Sequence, residues 1–127
     1  YANEKGNIVL VHTYSLGGVC ELEKTVAKYP DAKFIFAHSG TESGYKRTAE
    51  IIKKYPNAYC DLCMTMPRAN MLEWLVKHGD ESKILYGTDA PLTDQRVMIG
   101  RILLSDISDK AKIKILGENF INLFYGG

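Results

Sequence analysis

Two histidines and one aspartate stand at the ends of short apolar runs in this sequence. His12 and His38 each follow directly on such a run, and Asp89 comes shortly after another. In parallel α/β folds, ligands and catalytic groups collect at the C-terminal ends of the strands. Two imidazoles and a carboxylate suit a divalent metal with an open coordination position, which brings the pKa of water down to near ~7. A carboxylate beside that water can move its proton.

Each of these residues also has a simpler interpretation. A histidine at a strand end is often only a satisfied polar group, and Asp89 precedes Ala90-Pro91, where aspartate is a common turn former. All three stand at the ends of apolar runs that recur along the chain, which favours a common function for them. The pattern therefore predicts a metal site with His12, His38 and Asp89 as ligands. The third histidine, His78, closes a predicted helix, which favours a helix-dipole role.

Two other motifs are weaker. Cys60-x-x-Cys63 has the spacing of a redox or zinc motif, but on a strand two positions three apart point to opposite faces, which argues against either role. The glycine-rich segment 15–18 lacks the GxGxxG and Walker patterns, and a mobile loop explains it.

The elements that must position these residues alternate along the chain. Short continuous apolar runs are typical of strands covered on both faces. They predict strands at 8–11, 34–37, 58–63 and 84–86. Helical spacing predicts helices at 21–29, 42–55, 71–78, 95–104, 110–116 and 118–125.

This order indicates a parallel (βα)4 unit with right-handed crossovers and extra C-terminal helices, forming a single unit over residues 1–127. An internal repeat supports it. Lys28-Tyr29-Pro30-Asp31-Ala32 recurs as Lys54-Tyr55-Pro56-Asn57-Ala58, and the same spacing separates His12 from His38.

The composition narrows the class of protein. The chain has 127 residues, of which 46% are hydrophobic, and a net charge of +1, as expected of a globular protein. Without a basic stripe we expect no nucleic-acid partner, and without an apolar run of ~20 residues we expect no membrane span. Three cysteines, an odd number, suggest reduced thiols in the cytoplasm. Because the chain starts at Tyr1 rather than methionine, we expect an upstream segment.

Several motifs together resemble the amidohydrolase-related metal-dependent hydrolases of the amidohydrolase 2 type. The run from Ile84 through Gly87-Thr88-Asp89-Ala90-Pro91 looks like the last barrel strand of that family. The closing segment 115–124 is similar to its C-terminal helix, with Gly-x-Asn near the start and Leu-Phe at the end. Val11-His12-Thr13, Ala37-His38-Ser39-Gly40 and Tyr59-Cys60-Asp61-Leu62 resemble its fifth, sixth and seventh strand ends.

The resemblance implies a fold and a chemistry. The chain would be strands five to eight, the C-terminal half, of a TIM (β/α)8 barrel. His12 would be a metal ligand, His38 a second ligand or a substrate contact, and Asp89 both ligand and proton shuttle. Members hydrolyse amides, esters or lactones, and some decarboxylate aromatic acids, usually with zinc, the metal we expect here, or manganese.

The sequence also departs from the family pattern. The His-x-His pair of the family's first strand has no counterpart, so this chain alone is expected to be inactive. Four strands are also half of a barrel of typically ~250 residues. We therefore expect either a missing N-terminal half or a homo-oligomer that covers the exposed surfaces.

Substrate recognition and the alternatives complete the expectations. Arg68, Thr65 and Met66 are the predicted contacts to a small-molecule substrate. Thr65 and Met66, with Pro67, would line the rim of the site, and Arg68, like Arg96 and Lys46, could meet a substrate carboxylate. A decarboxylase on the same scaffold is one alternative function. A small, non-catalytic α/β binding module is the other.

Overall fold

Four parallel strands form one sheet in the computed structural model, which describes residues 1–63 and 68–126. The strands are β1 (Ile8–His12), β2 (Lys33–Ala37), β3 (Ala58–Asp61) and β4 (Ile84–Leu85), in that order across the sheet. Each pairs with the next in the chain, as expected when helices provide the crossovers. The predicted parallel (βα)4 arrangement is confirmed.

Seven α-helices accompany the sheet in the described part of the chain. They are α1 (Ala2–Lys5), α2 (Leu16–Lys28), α3 (Thr41–Lys54), α4 (Met71–His78), α5 (Gln95–Leu103), α6 (Asp109–Ile113) and α7 (Asn119–Tyr125). Short 3-10 turns cover His38–Gly40 and Glu81–Lys83, and a π-helical segment, Lys114–Glu118, joins α6 to α7. None of these helices is long and apolar enough to cross a membrane.

The main differences from the predicted elements are local. The segment 15–18 is not a loop: Ser15 caps α2, its hydroxyl accepting the Gly18 amide proton at 3.2 Å, and α2 therefore starts well before residue 21. Helix α1 was not predicted, since four residues carry no periodic pattern. Strand β4 ends early because the Tyr86 amide donates to the Ile115 carbonyl at 2.9 Å rather than to the sheet.

The two faces of the sheet have different neighbours. Phe34, Phe36, Ala58, Cys60 and Ile84 pack against the helices in the main core, together with Val19, Val26, Ile52, Leu75 and Ile102. Side chains on the opposite face, the inner face, are Ile8, Leu10, Ile35, Tyr59 and Leu85. Leu123 of α7 joins Ile35 and Leu85 there in a small buried cluster.

Candidate functional site

The three predicted metal ligands lie at the C-terminal edge of the sheet. His12 is the last residue of β1, His38 directly follows β2, and Asp89 follows β4 by a short loop. His12 is exposed, Asp89 is half-buried and His38 is only 6% exposed. The sheet register pairs His12 with Ala37 rather than with His38. The repeat that separates the two histidines therefore does not place them opposite each other on the two strands.

The two imidazole rings nevertheless meet. His12 Nδ1 and His38 Nε2 are 3.1 Å apart, and the rings lie edge to face with centroids 4.7 Å apart. His38 Nδ1 lies 3.0 Å from the Cys63 carbonyl oxygen. A carbonyl can only accept, so Nδ1 carries a proton, and in the neutral ring Nε2 then offers its lone pair. In this arrangement His12 Nδ1–H donates to His38 Nε2.

The separation of the two nitrogens also suits a shared metal ion. Two imidazole nitrogens at ~2.0–2.1 Å from one tetrahedral metal lie about 3.3 Å apart. The observed 3.1 Å is close to that value. Both nitrogens could serve as ligands once the His12 proton has moved from Nδ1 to Nε2, because Nδ1 is then unprotonated. This pair can supply two ligands to a divalent cation.

Asp89 is not gathered into a preformed cluster with this pair. Within residues 1–63 and 68–126, no three His, Cys, Asp or Glu side chains form a group that could hold a metal ion. Asp89 has a left-handed backbone, with φ of 60°, and its carbonyl oxygen accepts the Leu92 amide proton at 3.0 Å. Asp89 also contributes to the raised pKa of Cys63, after burial and the Asp61 charge and hydrogen bonds. The structure thus brings His12 and His38 together but not all three predicted ligands.

The turn after β2 has an unusual backbone. His38, Ser39 and Thr41 have positive φ values of 65°, 49° and 53°, and Gly40 has 76°. Left-handed conformations are disfavoured for residues with a Cβ and persist only where surrounding contacts over-determine them. Asp61 provides such contacts, since its carbonyl oxygen accepts the Ser39 hydroxyl proton and its carboxylate accepts the His38 amide proton.

Asp61 and Cys63 are parts of the site that the sequence did not single out as functional. Asp61 Oδ1 lies 3.0 Å from the His38 amide nitrogen, 3.1 Å from the Cys63 amide nitrogen and 2.8 Å from Cys63 Sγ. Cys63 Sγ is also 3.4 Å from His38 Nδ1. A carboxylate at the end of a predicted strand was the available signal.

The two cysteines of the C-x-x-C pair are thiols and form no disulfide. Burial raises the pKa of the Cys60 thiol to about 12. Burial, then the negative charge of Asp61, raises the pKa of the Cys63 thiol. Neither thiol has the electropositive, accessible surroundings that activate a cysteine. Strand β3 ends at Asp61, so Cys63 lies beyond the strand on which the sequence argument placed both cysteines.

Tyr14 was also missed by the sequence analysis. Its ring lies parallel to the His12 ring, with an interplanar angle of 4° and centroids 5.5 Å apart, and meets the His38 ring edge to face at 5.8 Å. The Tyr14 carbonyl accepts the Thr41 hydroxyl proton at 3.0 Å, which ties the loop after β1 to α3. A tyrosine two residues after a strand-end histidine was the only sequence signal.

The predicted substrate contacts are only partly covered by the structure. Thr65, Met66 and Pro67 lie outside the described residues. Arg68 is 60% exposed and forms an ion pair with Glu42, at the start of α3. Arg96 pairs with Asp94, two residues before it. Lys46 lies over the Trp74 ring at 4.8 Å, in a groove between α3 and α4.

His78 occupies the last turn of α4 and stacks on Trp74, with ring centroids 3.9 Å apart. Its position agrees with the prediction that it belongs to a helix end rather than to the site.

Comparison with known proteins identifies the family. The amidohydrolase family model Amidohydro_2 matches residues 1–124. The chain belongs to the amidohydrolase family. The predicted family is thereby confirmed, and the match runs through all four strands and the C-terminal helices of this amidohydrolase chain. No curated protein matches the sequence.

Solved structures give the same fold. An uncharacterised TIM-barrel protein from Bordetella bronchiseptica has a TM-score of 0.82 at 17% identity, over 96% of this chain and 47% of its own. Dihydroxybenzoic acid decarboxylase from Polaromonas sp. JS666, with bound manganese and 2-nitroresorcinol, has a TM-score of 0.67 at 23% identity, over 86% and 39%. Amidohydrolase 2 from Bifidobacterium longum subsp. infantis has 0.67 at 14%, over 91% and 48%.

These structures confirm the predicted fold class, half of a TIM barrel. The amidohydrolase chain covers less than half the length of each of these three structures.

Proposed function

We propose that this chain supplies the His12, His38 and Asp89 part of the active site of a metal-dependent hydrolase that acts on an amide, ester or lactone carbonyl. The observation that carries the proposal is the meeting of His12 Nδ1 and His38 Nε2, 3.1 Å apart at the C-terminal ends of neighbouring parallel strands. Ligands collect at this edge of α/β barrels. Zinc is the first candidate for the metal because imidazole suits it, and manganese is the second.

The chemistry divides between the metal and the side chains. A bound divalent metal polarises a carbonyl group and makes a water molecule acidic enough to ionise near pH ~7. Asp89 would accept the proton of that water and return it to the leaving group. His38 Nδ1–H is held by the Cys63 carbonyl, so its Nε2 lone pair stays directed toward His12. Both histidines therefore act as ligands in this proposal, and His38 also faces the substrate.

Substrate binding is proposed at the same edge. Arg68 would exchange its ion pair with Glu42 for a carboxylate of a small-molecule substrate, which costs little because both side chains are solvent-exposed. Thr65 and Met66 remain proposed substrate contacts on sequence grounds. We propose that the protein works in the cytoplasm, where the thiols of Cys20, Cys60 and Cys63 stay reduced.

A decarboxylase is the second candidate function. One similar structure is a dihydroxybenzoic acid decarboxylase with manganese, and another is 5-carboxyvanillate decarboxylase from Sphingomonas paucimobilis. In this chain the half-exposed Tyr14 ring, which is parallel to the His12 ring, offers a flat surface beside the histidine pair. Product analysis separates the two: release of carbon dioxide from an aromatic acid supports decarboxylation, and acid release from an ester or lactone supports hydrolysis.

A non-catalytic binding module fits the structure less well. Such a module would cover its own apolar surface, whereas Leu10 in the middle of β1 is 63% exposed. The absence of a His-x-His pair in the sequence leads us to expect no turnover by this chain alone. The decisive experiment therefore measures metal binding rather than activity.

The three histidines allow a controlled test. We expect the chain to bind about one zinc, and His12→Ala and His38→Ala each to lose it, as measured by metal analysis after dialysis. Asp89→Ala should weaken the binding. His78→Ala is the matched control, since His78 stacks on Trp74 in α4, and it should bind like the wild type. A wild-type chain without bound metal, or equal losses in all three histidine variants, contradicts the proposal.

A further inference from the structure

Asp61 is a buried carboxylate beside the histidine pair. It is the last residue of β3, and it is only 8% exposed. One oxygen, Oδ1, is within hydrogen-bond distance of the amide nitrogens of His38 and Cys63, at 3.0 and 3.1 Å, and of Cys63 Sγ, at 2.8 Å. A buried carboxylate requires such donors, and hydrogen bonds to a charged acceptor are stronger than neutral ones.

These hydrogen bonds join two turns that come from different strands. The His38 amide lies in the left-handed turn after β2, and the Cys63 amide lies in the turn after β3. The main-chain carbonyl of Asp61 adds a third link, because it accepts the Ser39 hydroxyl proton. Asp61 thus fixes the position of the Cys63 peptide relative to the backbone of His38.

The fixed position matters because the Cys63 carbonyl determines the state of the His38 ring. Its oxygen lies 3.0 Å from His38 Nδ1, which must carry the proton in this contact. The Nε2 lone pair then faces His12 Nδ1 at 3.1 Å. A residue that holds the acceptor for one ring nitrogen sets both the tautomer and the direction of the other.

We infer that Asp61 is a positioning residue for His38: it holds the Cys63 carbonyl so that the His38 proton stays on Nδ1 and the Nε2 lone pair points at the His12 ring. The part of this inference that concerns metal binding rests on the proposed function. The part that concerns the tautomer does not. Asp61 acts through the Cys63 peptide and the His38 backbone rather than by contact with a metal or a substrate.

The test begins with the metal-free protein. At about pH 8, where an ordinary imidazole is neutral, histidine ¹⁵N spectra report which ring nitrogen carries the proton. The wild type should show His38 protonated on Nδ1. Asp61→Ala should show a mixture of tautomers, and Asp61→Asn should keep the wild-type pattern because its amide oxygen can still accept from the two amide groups. Wild-type His38 protonated on Nε2 overturns the inference, whether or not the alanine variant folds.

A matched control separates positioning from general stability. Asn57 directly precedes the first residue of β3 and is as buried as Asp61. Its Nδ2 donates to the carbonyls of Val26, Tyr29 and Ala32. Asn57→Ala should lower the thermal stability but leave the His38 tautomer unchanged. If Asn57→Ala disturbs the tautomer as much as Asp61→Ala does, a general loosening explains both, and the inference is overturned.

Metal affinity provides the second readout. Cobalt(II) titration followed by absorption should give a roughly tenfold to hundredfold weaker affinity in Asp61→Ala, as for other groups that orient a metal ligand. Asp61→Asn should remain close to wild type. Unchanged affinity in Asp61→Ala contradicts the positioning role. If the wild type binds no cobalt, the proposed function fails, while the tautomer measurement still decides the role of Asp61.

Discussion

Cys63 contacts its neighbours in the site through its carbonyl, its amide and its thiol. Its carbonyl oxygen accepts from His38 Nδ1, its amide donates to Asp61, and its thiol lies 2.8 Å from the same carboxylate oxygen. Gly87 makes room for this turn, because a Cβ there would lie 3.0 Å from the Cys63 Cβ and 3.3 Å from its amide nitrogen. A side chain at position 87 would therefore push against this turn, which would have to move by a few tenths of an ångström.

Thiol reactivity tests the electrostatics around Cys63. Burial and the Asp61 charge raise the pKa of the Cys63 thiol, and burial raises that of Cys60 to about 12, so both hold little thiolate at pH values near ~8. We expect iodoacetamide to label the half-buried Cys20 in α2 first, with Cys60 and Cys63 much slower, as measured by peptide mass spectrometry.

The Asp61→Asn variant provides the contrast for this prediction. Removal of the negative charge lowers the pKa of Cys63, which should speed its labelling and leave Cys60 nearly unchanged. Equal labelling rates for Cys20 and Cys63 in the wild type would show that the Cys63 thiol is neither buried nor held by Asp61 as described.

At the scale of the elements, the junction between β2 and α3 positions His38. Gly40 is the residue before α3, with φ of 76°, and a Cβ there would lie 2.5 Å from Val19 Cγ2 in α2 and 3.0 Å from Thr48 Oγ1. Glycine is therefore required both by the backbone and by the close approach of α2. The close approach of Gly40 to Val19 lets α2 pack against the start of α3, next to the turn that carries His38.

Two glycine-to-alanine changes test that requirement. Gly40→Ala should lower the free energy of unfolding by roughly 2–4 kcal/mol, since it adds left-handed strain and a clash in the core. Gly100→Ala is the control: it lies inside α5, where a Cβ meets no atom within 4 Å, and should raise stability by about 0.5–1 kcal/mol. Urea unfolding gives both values. A Gly40→Ala variant as stable as wild type would contradict the described packing.

At the scale of the whole molecule, the inner face is only partly covered. Leu10 on β1 is 63% exposed, and Phe120 and Phe124 of α7 are 46% and 45% exposed and stack on each other. Together with Ile8, Ile35 and Leu85 they line a cavity of about 330 Å³ that reaches Asp61. Among the described residues, β1 and β4 each have one strand neighbour, so the sheet has two open edges. Such apolar faces and edges favour association.

Self-association of the chain is therefore the expected behaviour in isolation. We predict a mass that rises with concentration in light scattering, and a clear decrease in association for Leu10→Glu, which places a charge on the inner face. Leu104→Glu is the control, because Leu104 is 89% exposed at the end of α5. If both variants reduce association equally, or if the wild type stays monomeric, the inner face is not the contact surface.

The sequence by itself determined the alternation of strands and helices, the family, and the places of His12, His38 and Asp89 at strand ends, because hydrophobic periodicity and motif order are local properties of a chain. The ligand roles of these three residues remain predictions.

Only the tertiary structure decided which of these groups meet. The His12–His38 contact, the hydrogen bonds on Asp61 and the Cys63 carbonyl depend on left-handed turns and on a register that pairs His12 with Ala37. Packing brings residues from separate strands into contact, and a local pattern along the chain does not predict which of their atoms will meet.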